Sequence, residues 1–411
     1  MVDSETTDRI ETIGAEFFAD PHAHYRRWRE HGTVRRVRFP DGVIRWIILG
    51  YAEGRAALAD PRLRKDIAHI DALVSVKRST PPTDPRQLAL VTHMLNIDPP
   101  DHTRLRKLVG KAFTAQRVAG LRPRIEEITS GLLDAVDGRD EVDLLREFAV
   151  PLPITVICEL LGVPLAERDE FQQWTRDLVG VVGLEAERTR ASLAMAGYLT
   201  RLVRTKQAAP RDDLLSGLIV AGRDGDALTE AELVAMSFLL LVAGYETTVN
   251  LIANGTLALL RNPDRLSALR TDPTAIADAV EEFLRYDGPV NLSTVRYTAE
   301  PITVADTEIP AGELVYIAVA AANHDPARYP DPASLDPTRA PAPHLAFGHG
   351  IHFCLGAPLA RLEAQIAFAA LLQRFPELCL SPAATVEWQS STLIRGLLEL
   401  PVRLRTPIRS T

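Results

Sequence analysis

The sequence predicts a mainly α-helical protein with small β-sheets, an α+β fold, arranged as a single domain over residues 1–411. Most of the chain has apolar residues at three- and four-residue spacing, which is typical of amphipathic helices. β-branched runs with turn residues are confined to short segments near the two ends. Two proline-rich stretches, 79–87 and 330–344, are loops by composition, but neither is long or polar enough to link separate domains.

The elements can be assigned in order along the chain. Strands are predicted for VRRVRFP and VIRWIILG near the start, and for STVRYT, ITVADTEIPAGELVYIAV and PVRLRT toward the end. Helices are predicted for TRLRKLVGKAF, RIEEITSGLLDAV, LPITVICELLGV, AIADAVEEFLRY and APLARLEAQIAFAALLQRF. We expect residues 1–16 to form a flexible N-terminal tail.

The longest helix begins at a capping box. Thr229 and Glu232 are the residue types that satisfy each other's backbone N–H groups at a helix N-terminus. The apolar pattern then continues to about Leu260. Its middle is unfavourable for a plain core helix, because Gly244 costs ~1 kcal/mol relative to alanine and polar residues follow at 246–248. We therefore expect this segment to have a functional role.

Composition and charge exclude several classes of protein. The chain is 46% hydrophobic and 24% charged, as in ordinary globular proteins, and its net charge of −8 argues against nucleic-acid binding. Its three cysteines, Cys158, Cys354 and Cys379, are too few for a disulfide framework and fit a reducing, cytoplasmic setting. The N-terminus has no signal-peptide pattern, and the longest apolar run, 233–244, is too short to span a membrane. We expect that run to be a buried core helix and the protein to bind no membrane.

Cys354 stands in the glycine-rich sequence FGHGIHFCLGAP, ahead of a predicted helix. A lone cysteine is most often a small buried hydrophobe. Here Gly348, Gly350 and Gly356 let the backbone approach a bulky group closely. The N–H groups at the helix N-terminus stabilise a thiolate and are expected to lower the thiol pKa. These features favour a metal-bound thiolate.

Two kinds of metal site use such a cysteine. A zinc cluster could draw on His349, His352 and Cys354, but structural zinc takes four ligands, and these groups are too close in sequence to meet at one ion unless the loop folds back sharply. Haem iron brings four nitrogens of its own and needs one protein ligand, and a cysteine there favours cleavage of the O–O bond. The sequence therefore favours haem.

The glycine-rich sequence resembles the haem-ligand signature of the cytochrome P-450 monooxygenases. The matching residues are Phe347, Gly348, Gly350, Cys354 and Gly356. The order of the other motifs is similar to the family's from about Phe17 to the RGLLELPVRL segment. The resemblance implies the cytochrome P-450 fold, with haem b between the long central helix and the helix after Cys354, whose thiolate ligates the iron.

The polar segment of the long helix is similar to the family's oxygen-activation motif. The residues that match are Ala243, Gly244, Glu246 and Thr247. The resemblance implies that they lie on the oxygen-binding side of the haem, where the glycine leaves room for dioxygen. Thr247 would then hydrogen-bond the bound oxygen while Glu246 relays protons from solvent. Taken alone, a helical threonine bonds to its own backbone and a glutamate faces solvent.

The resemblance assigns further charged residues to two roles. Those expected to bind the haem propionates are His102, Arg106, Arg296 and His352. Those expected to form an ion network that holds the loop before Cys354 are Glu282, Arg285 and Arg339. Glutamate–arginine pairs at the same spacing occur elsewhere in the chain, so this network is predicted from all three residues together.

These assignments predict a soluble, monomeric, bacterial-type monooxygenase. It would hydroxylate or epoxidise a mid-sized apolar small molecule, such as a polyketide, terpenoid or steroid, using O2 and electrons from NAD(P)H delivered by a ferredoxin reductase and a ferredoxin. The apolar residues expected to line the pocket are 88–95, 178–184, Leu239, Val242, Ala243, 290–292 and 393–394. The alternatives are a peroxygenase that uses H2O2, a non-catalytic haem sensor or carrier, and a zinc hydrolase.

The electron donor has a candidate docking face. Between His102 and Arg124 the chain has seven basic residues and no acid, although its net charge is −8. Such a run is usually a solvated surface, but the family resemblance places it on the thiolate side of the haem. The residues expected to attract an acidic ferredoxin are Arg104, Lys107, Lys111 and Arg361.

Overall fold

The computed structural model describes residues 10–179, 185–221, 227–339 and 342–405. The α-helices are α1 (Ala15–Ala19), α2 (Pro21–Arg29), α3 (Tyr51–Ala59), α4 (Ile67–Arg78), α5 (Pro85–Val91), α6 (Asp101–Ala112), α7 (Ala115–Gly120), α8 (Arg122–Val136), α9 (Pro151–Leu161), α10 (Arg168–Val179), α11 (Glu185–Ala208), α12 (Leu214–Ala221), α13 (Glu230–Leu260), α14 (Pro263–Thr271), α15 (Ile276–Asp287), α16 (Val319–Asn323) and α17 (Ala357–Arg374). The strands are β1 (Glu11–Thr12), β2 (Val34–Arg38), β3 (Ile44–Ile48), β4 (Leu63–Arg64), β5 (Glu141–Asp143), β6 (Arg296–Thr298), β7 (Ile302–Val304), β8 (Thr307–Ile309), β9 (Leu314–Ile317), β10 (Cys379–Leu380) and β11 (Pro401–Arg403). The prediction of a mainly helical fold with small sheets is confirmed.

The strands of the described residues form three small sheets. The largest has the order β1-β2-β3-β9-β6-β4, and the others are β10-β11-β5 and the hairpin β7-β8. β2 and β3 pair antiparallel, whereas β3 and β9 pair parallel. β6 lies between β9 and β4, which places Arg296 beside the chain segment that follows β4. Each segment predicted as a strand contains at least one, but β1, β4, β5 and β10 have patterns too short to predict.

α13 is the centre of the helical region. Its capping box forms as predicted: the Thr229 N–H donates to the Glu232 carboxylate at 2.8 Å, and the Glu232 N–H donates to Thr229 Oγ1 at 3.2 Å. The helix packs against α9, α11, α15 and α17. It is long and apolar enough to cross a membrane, but 67% of its most apolar window is buried inside the protein. The prediction of a buried core helix is confirmed.

The N-terminal segment differs from the prediction of a flexible tail over residues 1–16. β1 pairs parallel with β2, and Ile13 is 2% exposed. Ile13 belongs to an apolar cluster with Phe17, Tyr25 and Trp28, so burial of its side chain orders the backbone on either side. Residues 10–16 are therefore part of the fold, while residues 1–9 lie outside the described residues.

The predicted ion network is present and holds the loop region ahead of Cys354. The Arg285 guanidinium donates two hydrogen bonds of 2.7 Å to the Glu282 carboxylate. It also donates to the carbonyls of Asn323, Pro332 and Ser334. Arg339 lies 3.6 Å from the same carboxylate, and the Glu282 and Arg285 side chains are 5% and 2% exposed. Because the arginines bind backbone carbonyls of the loop, the network fixes the loop's path.

Candidate active site

The loop before α17 is shaped by its glycines. Gly348 and Gly350 have φ angles of +70° and +75°, a left-handed region that other residues rarely adopt. A Cβ atom at Gly350 would also lie 3.0 Å from the Leu58 carbonyl oxygen. The loop closes where the Cys354 N–H donates to the Phe347 carbonyl at 2.9 Å. These contacts fix the position of Cys354 just ahead of α17.

The Cys354 sulfur lies in a recess at the N-terminus of α17. Its side chain is exposed, yet burial raises the thiol pKa, so the sulfur faces a recess and not the outer surface. The N–H groups of Gly356 and Ala357 and the guanidinium groups of Arg106 and Arg361 lower the pKa. The predicted stabilisation of a thiolate is present, but the predicted net lowering of the pKa is wrong because burial outweighs it.

The residues predicted to bind the propionates lie close to one another. The rings of His102 and His352 are 4.3 Å apart, and Arg106 donates to the Phe353 carbonyl at 2.7 Å. His102 and Arg296 are 2% and 3% exposed. Burial, and then the charges of neighbouring cations, lower the pKa of His352 to about 2. Burial lowers the pKa of Arg296 to about 10.

Lys65 lies in the same cluster, and sequence reasoning missed it. Its side chain is 1% exposed, and its ammonium group donates to Thr294 Oγ1 at 2.6 Å. Burial and the charge of Arg296 lower its pKa well below the usual lysine value. Lys65 follows β4, and only the pairing of β4 with β6 brings it to Arg296. We call the following residues the cation cluster: Lys65, His102, Arg106, Arg296 and His352.

The cation cluster has no anionic partner within the described ranges of the chain. No carboxylate there lies within 4.0 Å of the Lys65 ammonium group or of the Arg106 and Arg296 guanidinium groups, and neither ring nitrogen of His102 has a hydrogen-bond partner. Asp98 raises the pKa of Lys65 and of Arg296 by its charge, but its oxygens accept backbone N–H groups. Buried cations without an anion are unfavourable. The two propionates of haem are anions that this donor set fits.

The polar residues of α13 form a second group. Ala243 is exposed although most of the helix is core, so this part of α13 faces a recess. Thr247 Oγ1 donates to the Ala243 carbonyl at 3.1 Å, the helix-internal bond expected of a threonine by itself. Its oxygen keeps lone pairs that can accept a further hydrogen bond. The Glu246 carboxylate accepts a hydrogen bond from Asn250 Nδ2 at 3.3 Å.

Gly244 lies where α13 packs against α9. A Cβ atom built on Gly244 would lie 2.9 Å from Ile157 Cδ1 on α9. The missing side chain therefore permits α9 to pack closely on α13. This contact does not test whether the glycine leaves room for dioxygen, which stays a prediction.

The structure also tests the predicted pocket lining. Val290 and Ile394 pair through a backbone bridge, so two of the predicted wall segments are adjacent. Val242 and Leu393 are half-buried. Of the predicted segment 178–184, residues 180–184 lie outside the described residues.

The predicted docking face is only partly supported. Arg104 pairs with Glu232 of α13. Arg361 donates to the Glu281 carboxylate at 2.6 and 2.8 Å, and its guanidinium lies over the Phe347 ring. These two arginines have their own carboxylates and are poor candidates for binding an acidic protein. Lys107 and Lys111, one turn apart on α6, are exposed.

The zinc alternative is contradicted by the arrangement of side chains. Within the described parts of the chain, no three His, Cys, Asp or Glu side chains are grouped so that they could hold a metal ion. His352 packs against His102 instead of meeting His349 and Cys354 at one point. A zinc hydrolase built on the glycine-rich loop is therefore excluded.

Comparison with known proteins agrees with this geometry. The Cytochrome P450 family model matches residues 187–391. Cytochrome P450 107B1 of Saccharopolyspora erythraea is 53% identical over 389 residues, covering 94% of this chain and 96% of the relative. The cytochrome P450 monooxygenase PikC of Streptomyces venezuelae is 50% identical over 400 residues, covering 96% of this chain and 93% of the relative.

Solved structures lead to the same family. The tirandamycin C-bound P450 monooxygenase TamI has a TM-score of 0.90 at 48% identity, covering 96% of this chain and 100% of that chain. Similarity of this degree over nearly whole chains extends to both the fold and the cofactor. The chain is therefore a member of the cytochrome P-450 family, a haem-thiolate monooxygenase whose haem iron is ligated by a cysteine.

Proposed function

We propose that this cytochrome P-450 hydroxylates or epoxidises a mid-sized apolar small molecule of the polyketide, terpenoid or steroid type, with electrons from a separate ferredoxin. The family's reaction inserts one atom of O2 into the substrate and reduces the other to water, using two electrons and two protons. The relatives support this substrate class, since they include a polyketide biosynthesis cytochrome of Bacillus subtilis and a vitamin D(3) 25-hydroxylase of Pseudonocardia autotrophica.

Cys354 is the residue that would ligate the haem iron. The observation that carries the proposal is the cation cluster beside it, whose charges lack carboxylates among the described residues. Its lysine, arginines and histidines would hold the two propionates, while Phe347, Gly348 and Gly356 shape the loop that carries Cys354. When bound, the haem supplies the redox-active iron at which dioxygen is activated.

Thr247 and Glu246 would deliver protons on the α13 side, lined by Ala243. The Glu246 carboxylate can take up a proton from solvent and release it again, which is general acid–base work. The Thr247 hydroxyl donates to the Ala243 carbonyl, so its oxygen is oriented to accept a hydrogen bond from a protonated group in the recess. Intact Glu246 and Thr247 argue against a peroxygenase, which receives its protons with H2O2.

An acidic ferredoxin would dock on the α6 surface. Lys107 and Lys111 are exposed there, and within the described residues no carboxylate lies within 4.0 Å of either. A positive patch of this kind mainly raises the rate of association with an acidic partner. We further infer that the protein works as a monomer in the cytoplasm, where a ferredoxin reductase and NAD(P)H supply the electrons.

The proposal is tested by titrating the ferric protein with a panel of apolar and charged compounds and following displacement of iron-bound water in the visible spectrum. Polyketide-, terpenoid- or steroid-like compounds should bind, and exclusive binding of small charged molecules would overturn the substrate class. For a compound that binds, Thr247→Ala should retain binding and convert O2 and reducing equivalents to H2O2 instead of product. Reduction by ferredoxin should slow steeply as ionic strength rises.

A further inference from the structure

Two asparagines of α13 are buried one and two turns beyond the proton-delivery residues. Asn250 and Asn254 are 0% and 2% exposed. A buried amide is unfavourable unless its donors and acceptors find partners. Both Oδ1 atoms lack a hydrogen-bond partner among the described residues, so the bonds that the two Nδ2 groups donate show what each side chain does in the core.

Asn250 contacts the proton-delivery acid directly. Its Nδ2 donates to the Glu246 backbone carbonyl at 2.7 Å and to the Glu246 carboxylate at 3.3 Å. A backbone carbonyl only accepts hydrogen bonds, so the first contact fixes which end of the amide faces Glu246. The same donor group then restrains the Glu246 side chain.

The other side of Asn250 is covered by the segment that follows the predicted pocket wall. A Cβ atom at Gly396 would lie 2.2 Å from Asn250 Oδ1, so only a glycine lets this backbone lie against the amide. Ile394, two residues earlier, is bridged to Val290 in the predicted lining. The amide is thus clamped between Glu246 and a segment connected to the substrate pocket.

Asn254 occupies a similar position without contact to the acid. Its Nδ2 donates to the carbonyls of Asp287 and Arg395 at 3.1 and 2.9 Å. Both asparagines therefore lie against the segment at 395–396. Between the two amides, Asn250 is the one that reaches a titratable group of the reaction.

We propose that Asn250 is a positioning residue for proton delivery. It holds the Glu246 carboxylate in the orientation from which the acid transfers its proton, and Gly396 keeps the amide in place. The inference rests on the proposed role of Glu246. It assigns Asn254 a purely structural role in the same helix.

The test compares Asn250→Ala with Asn254→Ala in the holoenzyme, using a compound identified by the spectral titration. Both variants should lose stability, but only Asn250→Ala should lower kcat, by about tenfold, a part of what general acid–base catalysis contributes. The same variant should give less product per NAD(P)H and a larger solvent deuterium isotope effect, with an unchanged KM. Equal kcat, coupling and isotope effect in the two variants would overturn the proposal.

Asn250→Ser keeps the test decisive if Asn250→Ala does not fold. A serine can make the bond to the carbonyl four residues earlier, as Ser237 does with Leu233 at 2.7 Å, but it is too short to restrain the Glu246 carboxylate. It should therefore fold and still show the larger isotope effect. A wild-type isotope effect in Asn250→Ser would contradict the positioning role.

Glu246→Gln separates this inference from the function on which it rests. An unchanged isotope effect in Glu246→Gln would refute the proton-delivery role itself. If Glu246→Gln alters the isotope effect, the double variant Glu246→Gln/Asn250→Ala should show no further change, since Asn250 acts through Glu246. Additive effects would mean that Asn250 acts on another group.

Discussion

Two buried groups of charges in this protein differ in whether the chain neutralises them. In the network of Glu282, Arg285 and Arg339, a carboxylate lies between the guanidinium groups. In the cation cluster, Lys65 and Arg296 are equally buried, yet no described carboxylate lies within 4.0 Å of the Lys65 ammonium or the Arg296 guanidinium group. The first group is complete when the chain folds, whereas the second needs an anion from outside the chain.

The comparison shows how a structural charge network can be told from a cofactor site. Removing charges from water is costly, and a close counter-charge with good hydrogen bonds recovers much of that cost. A buried set of cations that lacks a counter-charge therefore indicates a binding site for an anionic ligand. Breaking each group should have different consequences for the haem-free and haem-bound protein.

The largest effect is expected from Glu282→Gln, which leaves Arg285 buried without a carboxylate. Breaking a buried ion pair on one side costs about 3–5 kcal/mol, a large fraction of the stability of a typical domain. Urea unfolding of the haem-free protein measures the loss. Glu313→Gln is the matched control, because its pair with Lys77 is 28% and 29% exposed on the two sides and should contribute less than ~1 kcal/mol. Similar losses in both variants would contradict the distinction.

Lys65→Met should change stability in opposite directions with and without haem. Without haem the variant removes a buried, unneutralised ammonium and should unfold at a higher urea concentration. With haem it removes a partner of the propionates, and haem should dissociate about 10–100-fold more readily, as for the loss of a charged hydrogen bond. Transfer of haem to apomyoglobin measures this loss.

Lys206→Met is the control for that sign change. Lys206 is also buried, but it forms an ion pair with the buried Asp213. Its replacement should destabilise the protein in both forms, since it leaves a carboxylate unpaired. If Lys65→Met also destabilises the haem-free protein, the chain itself stabilises the cation cluster. The distinction between this cluster and the Glu282 network would then be refuted.

His93 provides a smaller, pH-dependent effect beside the cation cluster. Burial, and then the charge of Lys65, lower its pKa from 6.5 to about 3. Between pH 6.5 and 3 the unfolded chain therefore binds one more proton at this site, and stability falls as pH falls. His93→Phe removes this proton-linked change in stability. Between pH 7 and pH 5 the free energy of unfolding of the variant should therefore fall by about 2 kcal/mol less than that of wild type. Equal losses, measured by urea unfolding of the haem-free proteins, would show that His93 does not contribute.

The smallest effect is expected from Gly244→Ala, which tests the packing of α13 on α9. The added Cβ would lie 2.9 Å from the flexible end of Ile157, and overpacking costs about 1–3 kcal/mol. Alanine regains up to ~1 kcal/mol of helix propensity, so the net loss should be at most about 2 kcal/mol. Ile157→Val in addition should restore only part of the stability, since it removes Cδ1 but keeps Cγ1, which would lie 3.0 Å from the added Cβ. If Gly244→Ala has full stability but gives less product per NAD(P)H, the result would support the predicted oxygen-binding role of the glycine instead of the packing role.

Local sequence determines much of the fold and of the glycine-rich loop. The capping box at Thr229 and Glu232 and the loop around Cys354 involve residues close in the chain, so their spacing predicts them. His102 and His352 are far apart in sequence, and the family resemblance was needed to pair them. The rings do lie 4.3 Å apart.

The features that sequence reasoning missed or misjudged depend on contacts between distant segments. Lys65 reaches Arg296 only through the pairing of β4 and β6. The contact of Gly244 with Ile157 was missed because it exists only once α9 has packed on α13. Arg104 and Arg361 were taken as available cations, but their partners lie 128 and 80 residues away.

The central claim is that the glycine-rich loop and the cation cluster hold a haem whose iron is bound by Cys354. The most direct measurement is the absorption spectrum of the reduced protein with carbon monoxide in Cys354→Ser and in Cys379→Ser, since Cys379 is a second exposed cysteine. We expect Cys379→Ser to keep the red-shifted Soret band of thiolate ligation and Cys354→Ser to lose it. A red-shifted band that persists in Cys354→Ser, or disappears in Cys379→Ser, would show that Cys354 is not the iron ligand.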